Sequence, residues 1–569
     1  MSGSRLRRRA VPGHAGAWPA HIPAALRRIY AARGVRDPAD VEHRLARLLP
    51  PTALGGLSAA ASLLAAAIAG DRRILIAGDY DCDGATGVAV GVRGLRLLGA
   101  RHVGYVVPNR FEHGYGLSAA LVASLAETPD VLVTVDNGIA SLDGVAAARA
   151  RGIQVIVTDH HLPGAVLPVA DAIVNPNLPG DDFPSKALAG VGVMFYLLLA
   201  LRAQLYSGDR PARARPDLSV LLDLVALGTV ADLVPLDGNN RILVEAGLRR
   251  MRDGRACAGI AALAEAGGRS VATLVASDIA FALAPRLNAA GRLQDMTLGI
   301  ECLLSDDPAR ACQLAAHLSA INAERRELQA TMVAEAEAIL ADARVPDAIG
   351  VTLCDARWHA GVVGLVASKL KERLHRPVVA FAPAGADSDQ LRGSVRSIAG
   401  FHVRDALALV DARHPGLLGP FGGHAMAAGL SLAAADLARF AQAFDAVARE
   451  WLGADALEAV LWTDGELDAG ACNLELARQL RFAGPWGQAF PVPLFDNVFE
   501  CAQCRPMGTG HLRLRLRDPR DGAVVDAVMF NGAGAWPATP TIRAAYELTV
   551  NDWQGRDSVR LLLRHAEPA

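Results

Sequence analysis

The 569-residue chain is 52% hydrophobic and 20% charged, with a formal net charge of -2 from 57 Lys+Arg against 59 Asp+Glu. That length exceeds one ordinary hydrophobic core and implies three or four domains. Near-neutrality neither announces nor excludes a nucleic-acid partner, because phosphate contacts can be gathered in one local groove.

Residues 1 to about 70 are rich in Arg, Ala and Pro and then helical, ending with Ala59 to Ala69. Arg5, Arg7, Arg8 and Arg9 are not followed by the sustained apolar run of a signal peptide. From Ile74 to about Asp232, β-branched runs alternate with alanine-rich segments. Strands are expected at Ile74-Leu75-Ile76 and at 103–107, 131–135, 153–157 and 172–174. Helices are expected from Thr86 to Leu98, Ser118 to Ala126 and Leu142 to Ala150. That alternation specifies a doubly wound parallel α/β sheet. The uncharged stretch Ala187 to Leu201 contains two glycines and is too short to span a membrane, so it is expected as a core helix and the protein as cytoplasmic.

Ser305-Asp306-Asp307-Pro308 opens a segment without Gly or Pro to about Ala341, which is expected as a long connecting helix. A second α/β unit follows at about 350–455. The remainder changes character, and His511 to Arg517 alternates strictly between apolar and basic residues. With turns at Asn531-Gly532 and Gln554-Gly555, it predicts a small antiparallel barrel. Eight cysteines lack regular spacing, so a disulfide scaffold is excluded, and Cys501 and Cys504 have no second pair to complete a zinc site.

Four segments stand out chemically: Gly78 to Gly84 with Asp79, Asp81 and Asp83; Asp136-Asn137-Gly138; Asp159-His160-His161; and Thr229 to Asp232. The first three each follow a β-branched run, and open α/β sheets gather ligands at the carboxyl ends of their strands. Carboxylates converging there would repel one another unless cations lay between them, and carboxylate with imidazole suits Mn²⁺ or Mg²⁺. In an extended segment Asp79, Asp81 and Asp83 would face a common space. An EF-hand would need Glu at the twelfth position counted from Asp79, which is absent.

The pieces GDYDCDG at 78–84, VPNRFEHGYGL at 107–117, TVDNGI at 134–139, TDHH at 158–161 and GTVADLVPL at 228–236 resemble the DHH phosphoesterase family. APRLNAAGRL at 284–293, WHAGVVGLVASKL at 358–370, RGSVRS at 392–397 and GGHAMAAGL at 422–430 continue the resemblance, which covers nearly the whole chain and is nearest to the bacterial single-stranded-DNA exonucleases. It implies an N-terminal helical extension (1–70), a DHH parallel-sheet catalytic domain (71–304), a connecting helix (305–345), an α/β DHHA1 substrate-binding domain (346–458) and an OB-like β-barrel (459–569).

The resemblance also carries metal residues onto Asp81, Asp83, Asp136, His160 and Asp232, and places His161 beside the scissile phosphate. Asp79 and Asp159 are expected to ligate or to orient the ligands. Two divalent cations, with Asp136 bridging, would then hydrolyse single-stranded DNA from its 5′ end to 5′-mononucleotides, in repair and recombination. DNA contacts are expected from Arg110, Arg286, Asn288 and Arg292, from Arg392, Ser394 and Arg396, and from Gly423 and His424, the last at the start of a helix. In the barrel, Arg513, Arg515 and Arg517 form a basic face, with Trp486, Phe495 and Trp553 as possible stacking partners. A monomer working with a DNA helicase and a single-strand-binding protein, away from membranes, completes that expectation. A phosphodiesterase for very short oligonucleotides or cyclic dinucleotides shares the metal motifs but not the extra C-terminal domain. A non-catalytic scaffold would have lost the acidic clusters.

Overall fold

The computed structural model describes residues 5–12, 18–109, 113–114, 116–207, 215–342, 348–385, 388–553 and 555–569. Arg110 lies outside the described residues, as does the side chain of Trp553. Two compact units form. One contains residues 8–321 and 463–569, and the other residues 322–462 with the N-terminal residues up to Arg7.

The first unit is built on five parallel strands in the order Val103–Val106, Ile74–Ala77, Val131–Val135, Gln154–Thr158, Ala172–Val174. The β-branched runs pair as strands because helices cover both faces, and every residue of Val131–Val135 is buried. The strand order reverses between Ile74–Ala77 and Val131–Val135. Loops leaving neighbouring strands at such a reversal diverge and open a crevice, and these loops carry the acidic segments.

Helix Gly190–Leu205 fills the uncharged stretch, and its first nine residues are buried. No single helix among the described residues is long and apolar enough to cross a membrane. Helices Leu222–Ala231, Gly238–Arg250, Ala284–Leu293 and Thr297–Leu304 extend the unit.

The C-terminal strands close into a barrel in the order 495–507, 511–517, 524–529, 556–568, 541–553. Along His511–Arg517, Leu512, Leu514 and Leu516 point into the core while Arg513, Arg515 and Arg517 are exposed, as period-2 alternation requires. The barrel is not wholly antiparallel, since Val524–Met529 runs parallel to Arg556–Pro568. Phe495 belongs to the interior, and Trp486 is half-buried against it. Trp486 stacks on Tyr30 and Phe490 and donates from Nε1 to the Leu480 carbonyl at 2.8 Å, and Phe495 is fully buried. The N-terminal extension is locked to this region by a buried Arg33–Asp464 pair at 2.7 Å.

Helix Pro308–Asp342 is continuous, as its composition predicts. The second unit carries a mixed sheet in the order 421–423, 427–433, 390–396, 378–383, 351–354. The expected helix after Gly423 is replaced by a hairpin of Phe421–Gly423 and Ala427–Ala433, with His424 in its turn. Gly423 has φ 144°, and a Cβ there would lie 2.4 Å from the Ala427 carbonyl oxygen, so glycine serves strand crossing rather than helix entry.

Candidate metal centre

The Gly78 to Gly84 segment is not extended throughout. A helix begins at Cys82, four residues before the expected start at Thr86, with Asp81 as its N-cap accepting from the Gly84 amide at 3.0 Å. Asp83 therefore projects from the first helical turn rather than alternating along a strand. A Cβ on Gly84 would lie 2.6 Å from the Asp79 backbone nitrogen and oxygen, so the loop folds back on itself only with glycine there.

Asp83 is fully buried, and its two oxygens accept from the amides of Gly190 at 2.6 Å and Val191 at 2.9 Å. These amides open helix Gly190–Leu205, whose positive end favours a carboxylate. Asp136 follows its strand at φ 62°, a conformation aspartate adopts at a cost. Gly190 is needed beside it, because a Cβ would lie 2.5 Å from the Asp136 Cβ. Asp232 caps helix Leu222–Ala231.

His160 joins these carboxylates. Its Nε2 stands 3.0 Å from Asp136 Oδ1, 3.5 Å from Asp232 Oδ2 and 3.9 Å from Asp83 Oδ2. Among the described residues three overlapping donor sets result, each with its atoms within 4.8 Å of one another: Asp83, His160 and Asp232; Asp136, His160 and His161; Asp79, Asp81 and Asp136. Burial, reinforced by neighbouring carboxylates, drives Asp136 and Asp232 well above the ordinary carboxylate range. Burial, with the Asp81 charge adding to it, lifts Asp83 to about 7. Asp232 Oδ2 is buried without a hydrogen-bond partner. A lone pair left bare among crowded carboxylates fits a cation, which would supply the missing positive charge and let all of them ionise.

Asp159 is not in these sets. Its Oδ1 accepts from His161 Nδ1 at 2.7 Å and from the amides of His160 and His161, and its Oδ2 accepts from the Ile139 amide at 2.9 Å. Burial opposes its ionisation, but the His161 contact and these amides hold it below its ordinary value. Burial likewise disfavours the His161 imidazolium, and the Asp159 hydrogen bond outweighs it and raises His161.

Two residues that sequence reasoning missed hold the His-His backbone. Asn175 Nδ2 donates to the His161 carbonyl at 2.8 Å and Asn177 Nδ2 to that of His160 at 2.6 Å. The available signal was Asn-Pro-Asn directly after the strand at Ala172–Val174. Asn137 was missed too, and its Nδ2 ties the ends of two strands at Ala77 and Val135.

The expected DNA-binding residues divide. Asn288 Oδ1 accepts from the Cys82 amide at 2.8 Å, so this side chain braces the acidic loop. Arg286 donates to Ser319 Oγ and the Ala266 carbonyl, both at 2.8 Å, which fixes the orientation of its guanidinium. Arg292 is half-buried on the same helix, Ala284–Leu293. In the second unit Arg392, Ser394 and Arg396 alternate on one face of strand Gln390–Arg396, while Leu391, Gly393 and Val395 are buried on the other. Their partners across the neighbouring strand are the small residues Ser431, Gly429 and Ala427, and Gly364 of helix Val363–Leu374 lies against Ser394 and Arg396 on this face. Arg392 is exposed, whereas Arg396 is half-buried and its Nη1 donates to the Val395 carbonyl.

Residues 73–229 match the model of the DHH family N-terminal domain, 347–450 the DHHA1 domain and 463–565 the RecJ OB domain. The chain is 51% identical to the single-stranded-DNA-specific exonuclease RecJ of Dickeya dadantii, with 99% of each chain covered. The crystal structure of Thermus thermophilus RecJ with Mn²⁺ superimposes with a TM-score of 0.82 at 32% identity, covering 100% of this chain and 80% of that one. Its Mg²⁺ counterpart gives 0.77 at 31%, covering 100% and 79%.

These findings correct the expected reaction, which combined 5′-to-3′ polarity, mononucleotide release and a two-metal mechanism with one bridging carboxylate. The relatives are named for exonuclease activity specific to single-stranded DNA, and that narrower activity replaces the expected one.

Proposed function

Because the chain belongs to the RecJ family, we propose that it is a metal-dependent exonuclease specific for single-stranded DNA. The observation that carries this reading is the convergence of Asp83, Asp136 and Asp232 on His160 Nε2, with Asp232 Oδ2 buried and without a hydrogen bond. In this proposal those four groups, with Asp79 and Asp81 beside Asp136, hold divalent cations, Mn²⁺ or Mg²⁺. Such an ion supplies Lewis-acid polarisation of the phosphoryl group and an activated water.

The remaining work falls to the chain. The amides of Gly190 and Val191 fix Asp83, and Asn175 and Asn177 fix the backbone of the two histidines. Asp159 holds the Nδ1 side of His161 and favours its protonated form, so that His161 can donate from Nε2 to a phosphoryl oxygen as negative charge develops. Arg392 and Ser394 offer a guanidinium and a hydroxyl from one strand face to backbone phosphates. The exposed Arg513, Arg515 and Arg517 add sequence-independent phosphate contacts on the barrel.

The test is digestion of end-labelled single strands and the matched duplex with Mn²⁺, with Mg²⁺ and with chelator. Ion-dependent degradation from an end, confined to the single strand, is expected. Equal digestion of the duplex, or cleavage that survives chelation, would overturn the proposal.

A further inference from the structure

The loop that follows His161 is apolar and outward-facing. Leu162 is 66% exposed, Val166 64%, Leu167 39% and Val169 75%. Single exposed apolar residues are ordinary on a protein surface, but four within eight positions need a reason. Fraying does not supply it, because the loop is pinned at both ends. At its start Asn175 and Asn177 hold the His161 and His160 carbonyls. At its end Arg149 Nη1 donates to the Val169 carbonyl at 2.7 Å, the Asp171 amide donates to the Val155 carbonyl at 2.8 Å, and Asp171 Oδ2 accepts from the Val155 amide. Pro163 and Pro168 stiffen the span between, and Pro168 is buried.

From Leu162 to Ala170 no side chain carries a charge or a hydrogen-bonding group. Its side chains therefore have nothing to offer a phosphate. Its possible partners are apolar faces, and its position one residue beyond His161 fixes which ones lie within reach. We infer that Leu162, supported by Val166, packs on the nucleobase adjoining the scissile phosphate and unstacks it from its neighbour. Aliphatic side chains perform this wedging at base steps elsewhere, and apolar contact with a base is indifferent to sequence. Leu162 would thus be a positioning residue that separates the reacting nucleotide from the stacked strand.

The inference rests on the proposed exonuclease activity, and the experiment keeps the two apart. Leu162→Ala and Val166→Ala, each checked for wild-type cation binding by calorimetry with Mn²⁺, are compared with wild type on two single strands. One is unmodified, and the other carries abasic residues at both ends. On the unmodified strand Leu162→Ala should lower kcat/KM by about tenfold, a size typical of losing one base contact. On the abasic strand, where wild type has already lost that contact, the substitution should cost nothing further. An equal loss on both strands, or no loss on either, overturns the base-wedge assignment. A wild-type protein that degrades neither strand overturns the exonuclease reading instead.

Discussion

Replacing Gly291 by alanine is expected to damage the metal centre from a position that carries no ligand. Gly291 lies on helix Ala284–Leu293, and a Cβ there would sit 1.8 Å from the Tyr80 carbonyl oxygen. Tyr80 separates Asp79 from Asp81. Reaching even a 3.0 Å contact demands a shift of about 1.2 Å, the difference between 3.0 and 1.8, at an overpacking cost of about 1–3 kcal/mol. The same helix carries Asn288, whose Oδ1 accepts from the Cys82 amide, so the displacement reaches both sides of Asp81. A misplacement of about 1 Å in a catalytic constellation costs on the order of 100-fold in rate, or roughly 2.7 kcal/mol of barrier. Gly291→Ala should therefore show a kcat/KM on single-stranded DNA about 100-fold below wild type, weaker Mn²⁺ binding by calorimetry and a lower unfolding temperature. Gly534→Ala is the matched control, since nothing lies within 4 Å of its would-be Cβ. If Gly291→Ala binds Mn²⁺ and turns over like wild type, the helix does not set the loop, and the close-approach argument is wrong.

Asp136→Asn should abolish cleavage and weaken cation binding while sparing most DNA affinity, because Asp136 is shared by two of the donor sets; unchanged calorimetric stoichiometry and turnover would remove it from the ligands. Arg392→Gln should weaken single-strand binding and reduce the slope of log affinity against log salt by about 0.7, the counterion release of one lost phosphate contact; a wild-type slope would mean that Arg392 touches no phosphate. Asp496 accepts from Arg8, Thr463 and Arg543, and although burial opposes its ionisation, these contacts hold it below the ordinary value of 3.8. A depressed folded-state value contributes stability above the unfolded-state value that is lost as pH falls through the folded one. The stability deficit of Asp496→Asn at pH 7 should therefore shrink below about pH 4, and a deficit constant down to pH 3 would refute that linkage.

The strand positions were readable because fully covered parallel strands tolerate only apolar, mostly β-branched residues, and runs such as Val131 to Val135 announce that environment. The barrel strand His511–Arg517 was readable for the complementary reason, since one face is buried and one wet. The hairpin after Phe421 was not. Its glycines are as compatible with a helix entry as with a strand crossing, and only the approach of Gly423 to Ala427 and Ala428 decides between them.

The metal centre shows the same division at the level of single side chains. Acidic and imidazole side chains are unusual in apolar surroundings, so the segments that carry Asp83, Asp136, His160 and Asp232 stood out, and the family resemblance then singled out these residues. Their supports did not stand out. Asn288 looks like a polar residue on a basic helix, and its role comes from a Cys82 amide 206 positions away in the chain. Gly190 looks like a break in an apolar run, yet any side chain there would collide with Asp136, and its amide holds Asp83. Arg286 has the chemistry of a phosphate binder, and Ser319 and the Ala266 carbonyl orient its guanidinium while leaving further N–H donors. Residue type states what a side chain can bind, whereas tertiary packing decides what it has left to bind with. A sequence therefore marks candidate ligands more readily than the groups that hold them.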